Sequence, residues 1–269
     1  MKDKLFKFYK WSNSWQGTIV LVLLFMFFVA QAFLIPSGSM KNTLLVHDAL
    51  FAKKFAYGIP TPHIPWLEIP ILPDFRGDGH LIDGPKPKRG DIVIFRYPLN
   101  EKIHFVKRCV AKGGDKLFVK NKQLYLRIGN DDKKTIDFAK KMKAKIVDVN
   151  GEKFAFNPYS TIHKGIHHDP EITEIDGFNA PVFNYGPIII PEKEFFMMGD
   201  NRDHSADSRF WGTINYSQVV GKPWFIYMSW DDNYKIRWNR VGKSINEIEQ
   251  NLRDGILKYP VTEGHKRLE

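Results

Sequence analysis

The chain has 269 residues, enough to bury one sizeable core or two small ones. Its 40 basic residues against 30 acidic ones leave a net charge of +10, which favours anionic partners, nucleic acid and anionic lipid being the two obvious classes. The single cysteine, Cys109, excludes an internal disulfide and any cysteine-based zinc cluster, so stability outside the cytoplasm has to come from packing.

The beginning of the chain chooses between those partners. Lys2, Lys4, Lys7 and Lys10 precede residues 17–35, which carry no charge. As a helix that stretch spans roughly 28 Å, close to the ~30 Å of a bilayer core. The expected partner is therefore membrane lipid and not nucleic acid. Basic residues before the span predict a cytoplasmic segment 1–16, a transmembrane helix 17–35 and a folded remainder across the membrane. A cleaved secretory signal competes with this, because the apolar run 19–30 is short and Ala30-Gln31-Ala32 is a small-x-small pattern. Phe33, Leu34 and Ile35 extend the run past that point and favour retention; both readings put the folded part outside the cytoplasm.

After Pro36 the pattern is mostly short strands and turns. The stretch 58–73 carries five prolines among Trp66, Leu67, Ile69, Ile71 and Leu72. It reads either as an irregular loop packed on the core or as an apolar loop dipping into the membrane interface. Residues 91–97 read as a strand, 103–111 as a second, with Pro98-Leu99-Asn100 turning between them. Residues 116–120 and 123–128 form a hairpin pattern around Asn121-Lys122, without the glycine such turns favour. Helical composition returns at 135–145, with a strongly basic face. Pro187 and Pro191 bracket a strand at 188–190. Near the end, Ser244-Ile245-Asn246-Glu247 fits a capping box, followed by Ile248, Leu252 and Ile256 at helical spacing.

Three segments carry groups capable of chemistry. Pro36-Ser37-Gly38-Ser39-Met40 would be an ordinary turn elsewhere, but four residues reach no more than about 14 Å, which holds Ser39 near the bilayer. In the strand 103–111, alternation puts Ile103, Phe105, Lys107, Cys109 and Ala111 on one side, apolar except for Lys107. If buried there, the ammonium is desolvated and its pKa falls; a shift from about 10.4 to about 8 corresponds to roughly 3.3 kcal/mol. A neutral amine of that kind can deprotonate a serine. If the strand is an edge, Lys107 instead snorkels to water. The third segment, 199–212, is dense in hydrogen-bonding side chains. Asp200, Asp203 and Asp207 can pair there with Arg202 and Arg209, and Ser205 can bond a neighbouring amine. Its acidic spacing does not follow a calcium loop, and two arginines oppose a cation. Cys109 reads as a core residue, and His163, His167, His168 and Asp169 as a weak metal pattern.

Together these segments resemble the signature boxes of the type I signal peptidases. The matching residues are Pro36-Ser37-Gly38-Ser39-Met40, then Asp48 with Lys53-Lys54-Phe55-Ala56-Tyr57-Gly58, then Arg89-Gly90-Asp91-Ile92-Val93-Ile94-Phe95. Val106-Lys107-Arg108 and 199–212 complete the set, in the family's order and across roughly 15–231. The resemblance implies a serine endopeptidase with Ser39 as nucleophile and Lys107 as general base. It implies the Ser39 amide and Ser37 hydroxyl as oxyanion-hole donors, Ser205 as the residue orienting the lysine, and Asp207 with Arg209, and Asp200, as structural groups beside the site. No metal or cofactor is implied. Asn42, where a proline is usual, and Ala111-Lys112-Gly113-Gly114-Asp115 depart from the family pattern and put local loop shape in doubt.

The fold class expected is mainly β. An antiparallel catalytic core of 36–112 and 191–269 should carry an inserted variable region, 113–190, behind one transmembrane helix. The partners implied are exported preproteins with small side chains one and three residues before the cut, handled on the outer side of a bacterial inner membrane. Two rival readings are a dedicated Ser–Lys maturation peptidase of a conjugation or pilus system and an inactive membrane-tethered binding module.

Overall fold

The computed structural model describes residues 2–64, 68–174 and 179–258. It opens with helix α1 (Lys2–Ser12) and helix α2 (Trp15–Phe28), set at 88° to each other. Among the described residues no single helix is long and apolar enough to cross a membrane, although the bent pair passes that test together.

The expected helix over 17–35 is shorter than the hydropathy indicated. It ends at Phe28, and Ala30–Leu34 is strand β1, paired antiparallel from Ala30↔Lys53 to Leu34↔Ala49 with strand β2 (Asp48–Lys53). An apolar run fits a helix or a strand equally well by composition; here the open edge of β2 supplies the backbone partners that decide. A 3-10 turn, Gly38–Met40, lies between β1 and β2.

The loop after β2 contains two short paired strands, β3 (Ile59–Pro60) and β4 (His80–Ile82). The apolar loop behaves in two halves: Thr61 is buried, whereas Ile69 and Ile71 are exposed. Pro65, Trp66 and Leu67 lie outside the described residues. Glu68 and His63 both contact the Arg96 guanidinium, which ties this loop to the sheet.

Strands β5 (Ile92–Tyr97) and β6 (Asn100–Lys112) form the hairpin expected from 91–111. Next come β7 (Lys116–Lys120) and β8 (Gln123–Arg127), whose turn residues Asn121 and Lys122 both have positive φ, 49° and 67°. Such a turn matches strand twist even without glycine. Helix α3 (Asp132–Lys141) is capped by the Asp131 side chain. It stops before Lys145 because Lys145–Val149 is taken up as β9, paired with β10 (Glu152–Phe156). After a short helix α4 (Ala180–Phe183) comes β11 (Tyr185–Ile189), then β12 (Glu194–Met198). Helix α5 (Ser208–Trp211), β13 (Ile214–Asn215), β14 (Val219–Ser229) and helix α6 (Ile245–Arg253) complete the chain. The capping box at Ser244 and Glu247 is formed.

The strands make a seven-stranded sheet, β1-β2-β14-β5-β6-β12-β13, and a five-stranded one, β11-β7-β8-β10-β9, antiparallel throughout. Mainly antiparallel β is therefore the fold class. The larger sheet draws on both ends of the chain and the smaller one only on residues 116–189. A core of Ile35, Met40, Leu50, Ile94 and Ile226 is closed by Ile245 and Ile248 of α6. Val110, Phe196 and Met198 join a second core with Leu117 and Leu126 of the smaller sheet. That junction bends β6: the ladder with β12 slips between Phe196↔Ala111 and Met197↔Cys109. The one-sided alternation expected from Ile103 to Ala111 consequently ends at Cys109. Cys109 lies with Phe95 and Phe105, whereas Ala111 joins the core of the smaller sheet.

Candidate active site

Ser39 sits in the tight turn after β1, where buried Met40 and Ile35 pin the backbone to the core. The neighbouring loop holds the same turn from the other side. Asn201 donates from its backbone N to Ser39 O (3.1 Å) and from Nδ2 to Gly38 O (3.0 Å). Asn42 has φ 74° and bonds His167 through its side chain (3.1 Å). Proline cannot adopt that φ, so a proline at position 42 would require a different loop after Met40.

Lys107 enters from β6, only 4% exposed, with Nζ 5.0 Å from the Phe105 ring centroid. Its Nζ donates to Ser39 Oγ at 2.7 Å and to Val106 O at 3.2 Å. Burial pushes its pKa down to about 8, against the opposing pull of the Asp207 and Asp200 carboxylates. The snorkelling alternative is ruled out by that burial. Ser37 Oγ lies 3.4 Å from Ser39 Oγ on the exposed side of the turn.

The loop 199–212 is internally paired only in part. Asp207 binds Arg209 through both carboxylate oxygens (2.8 Å each) and accepts from Gly199 N (3.0 Å). Arg209 also donates to Arg202 O (2.5 Å). The other two acids look outward. Asp203 pairs with Lys122 (3.1 Å) and His168 (3.0 Å), and Asp200 pairs with Arg108 (2.7 Å) instead of Arg202 or Arg209. Ser205 is buried against Gly199, and its Oγ makes no hydrogen bond to Lys107. Ser39, Ser37 and Lys107 are thus brought together, with Asp200, Asp207 and Arg209 in the supporting layer and Ser205 beside it.

Sequence reasoning missed a buried charge network behind the site. Arg108, fully buried, takes Asp200 in a two-point contact (2.8 and 2.7 Å), Glu249 of α6 (2.7 Å) and Gly90 O (2.6 Å). Its Nη1 also lies 3.0 Å from His163 Nδ1, which contacts Glu249 (2.7 Å). Thr43 donates to Asp200 (2.6 Å), and Arg108 and its neighbours hold both carboxyls low, Glu249 at about 2 despite desolvation. The signal was present in Arg108 beside Lys107, but nothing local indicated that α6 would supply a second acid. The four residues of the weak metal pattern disperse into separate contacts, His204 taking Asp169 at 2.8 Å, and no metal-binding cluster is found among the described residues. Cys109 is fully buried, and desolvation pushes its thiol up, away from reactivity.

A cleft of about 430 Å³ opens onto Ser39 and Lys107, walled by Phe33, Ile35, Ile103, Phe105 and Val106, with His204 also on its lining. Two of its walls are the end of β1, at Phe33 and Leu34, and Ile103–Lys107 of β6. An apolar groove ending on a hydroxyl and a desolvated amine is equipped for acyl transfer.

Residues 8–230 match the family model described as signal peptidase, peptidase S26. The chain belongs to the signal peptidase family. It is accordingly a serine endopeptidase that processes signal peptides. It is 42% identical to signal peptidase I of Helicobacter pylori over 90% of this chain and 94% of that protein. It is 31% identical to signal peptidase I of Pseudomonas aeruginosa, over 83% of this chain and 73% of the other. The Buchnera aphidicola (Acyrthosiphon pisum) protein of the same name is 31% identical over 80% and 75%.

Proposed function

We propose that Ser39 is the nucleophile and Lys107 the general base that cut signal peptides from exported preproteins. The preprotein lies extended along β1 and β6, and the apolar cleft admits small side chains one and three residues before the cut. Lys107, neutral above its lowered pKa, takes the Ser39 proton as Oγ attacks the scissile carbonyl. The tetrahedral oxygen is met by the Ser39 amide and the Ser37 hydroxyl; each such donor contributes about 2.7–4 kcal/mol in comparable sites. Lys107 returns the proton to the leaving amine, then removes one from the water that hydrolyses the acyl-enzyme. Ser205, after a rotation of its side chain, orients the amine, while Asp207 with Arg209 and Asp200 with Arg108 hold the surrounding loop. The chain brings no cofactor to this mechanism; all the chemistry is assigned to side chains and backbone.

The supporting observation is the 2.7 Å contact between Lys107 Nζ and Ser39 Oγ, made by an amine stripped of water. In this reading α2 anchors the peptidase in a bacterial inner membrane with the lysine-rich segment in the cytoplasm and the two sheets outside. Retention of that anchor is supported by β1: cleavage after Ala32 would divide a strand that completes the larger sheet. Residues 113–190, which hold the smaller sheet, are the inserted variable region.

The test is cleavage of a preprotein by wild type, Ser39→Ala and Lys107→Ala enzyme, with the acyl-enzyme trapped by acid quench. Loss of cleavage in both variants and a trapped adduct on Ser39 are expected. Cleavage by Ser39→Ala at the wild-type rate would refute the assignment.

A further inference from the structure

Helix α2 has 14 residues, which is about 21 Å of rise. That falls short of a bilayer core of ~30 Å, and tilting would widen the gap. Helix α1 does not lengthen the span, because it turns off at 88°.

The corner is built into the sequence. Ser14 caps α2, accepting from Gly17 N at 3.1 Å, while its own hydroxyl donates to Trp11 O at 2.6 Å. Ser12 Oγ donates to Tyr9 O (2.9 Å), and Thr18 Oγ1 reaches back to Ser12 O (3.1 Å). The Tyr9, Trp11 and Ser12 carbonyls at the end of α1 are thereby satisfied without continuing the helix. Gly17 closes the angle: a Cβ there would sit 2.0 Å from Trp11 O, so another residue cannot be accommodated unless the corner opens.

The composition of α1 suits a surface and not a span. Leu5, Phe8, Tyr9 and Ser12 share one side at helical spacing, and Asp3, Lys7 and Lys10 share the other. Phe6, Lys4 and Trp11 flank the two faces. Leu5, Phe8 and Tyr9 are 64%, 56% and 66% exposed, uncovered by any described part of the chain.

We propose that α1 lies flat in the headgroup layer of the cytoplasmic leaflet, its aromatic side sunk toward the acyl chains and its lysines on anionic lipid. An interfacial helix sits roughly 5–10 Å into that boundary, which makes up the length that α2 lacks. Lys2 and Lys4, which border the aromatic side at helical spacing, match the negative surface of that leaflet. The anchor is then L-shaped, and the in-plane arm fixes the depth and direction from which α2 emerges under Ser39. This rests on the membrane orientation given above, and the experiment separates the two.

Full-length protein carrying Cys109→Ala, with single cysteines placed at each of positions 2–12, is spin-labelled and put into nanodiscs of phosphatidylglycerol and phosphatidylcholine. Relative accessibility to oxygen and to a water-soluble nickel complex is then read along α1. The expected result is a 3.6-residue oscillation, deepest at 5, 8 and 9 and shallowest at 3, 7 and 10. It should flatten in phosphatidylcholine alone and in a Gly17→Val variant, which should still cleave preprotein in detergent. A depth that changes steadily with position makes α1 part of the span, and uniform exposure to nickel leaves it in water; either overturns the proposal. So does an oscillation unchanged without phosphatidylglycerol, or one that appears only at high protein-to-disc ratio, which would assign the aromatic side to a second copy. Failure of every variant and of the parent to cut preprotein, with the oscillation present, would fault the catalytic reading and leave this one standing.

Discussion

At Lys107 one number connects stability to chemistry. With its folded pKa lowered to about 8, Lys107 is mostly neutral only at pH above that value, and only then can it act as the proposed base. Cleavage should therefore rise with pH, reaching about a hundredth of its plateau at pH 6 and half near pH 8. A kcat/KM profile flat from pH 6 to 9 would contradict this. The same shift costs stability. The unfolded lysine titrates near 10.4, so between about pH 8 and 10.4 the unfolded chain binds more protons and stability climbs with pH; below 8 the full penalty applies. Lys107→Met should thus be inactive yet more stable at pH 7, by up to roughly 3 kcal/mol, as a denaturant midpoint would show. Arg108 behaves in the opposite sense. Removing it as Arg108→Met leaves Asp200 and Glu249 buried without their cation, and a loss of about 3–5 kcal/mol is expected in the same measurement.

Among the elements, the loop after β12 has little tolerance. A Cβ on Gly199 would lie 2.3 Å from Ser205 Oγ and 2.5 Å from Ser39 O. Gly199→Ala should displace the turn that bears the proposed nucleophile and lower kcat by about a hundredfold, the cost of misplacing a reacting group by ~1 Å, with a smaller effect on KM. Wild-type kcat in that variant would show the turn to be held elsewhere. The β7–β8 turn has a second function beyond reversing the chain. Lys122 Nζ donates to Asp203, to Asp169 O (3.0 Å) and to Ile172 O (2.7 Å), tying the smaller sheet to the loop behind the cleft. Lys122→Ala should cost about 1.5–3 kcal/mol and slow cleavage without moving the pH profile. A shifted profile would mean that the link acts on Lys107 itself.

For the molecule as a whole, the candidate site and the charge network behind it are assembled from distant parts of the chain: the turn at 39, the strand at 107, the loop at 200 and the helix at 249. Glu249 is the far end of that assembly. Glu249→Ala should lower the melting temperature by several degrees, at about 2–4 °C per kcal/mol for a domain of this size, with activity falling in parallel. The sequence by itself located the candidate residues. Ser39 follows the apolar segment, Lys107 lies in an apolar strand, and the loop 199–212 announces itself by density of polar groups, because short motifs and periodicity are local properties. Strands β5 to β8 and part of β11 were legible for the same reason, whereas β1, β2, β9, β10, β12 and β14 were not. Where the apolar run changes from helix to strand, where α3 gives way to β9, and that Asp200 and Glu249 converge on Arg108, only the tertiary structure decided. Those outcomes depend on which backbone edge or buried charge waits elsewhere for a partner, and free energy of that kind belongs to the contact and not to either segment alone.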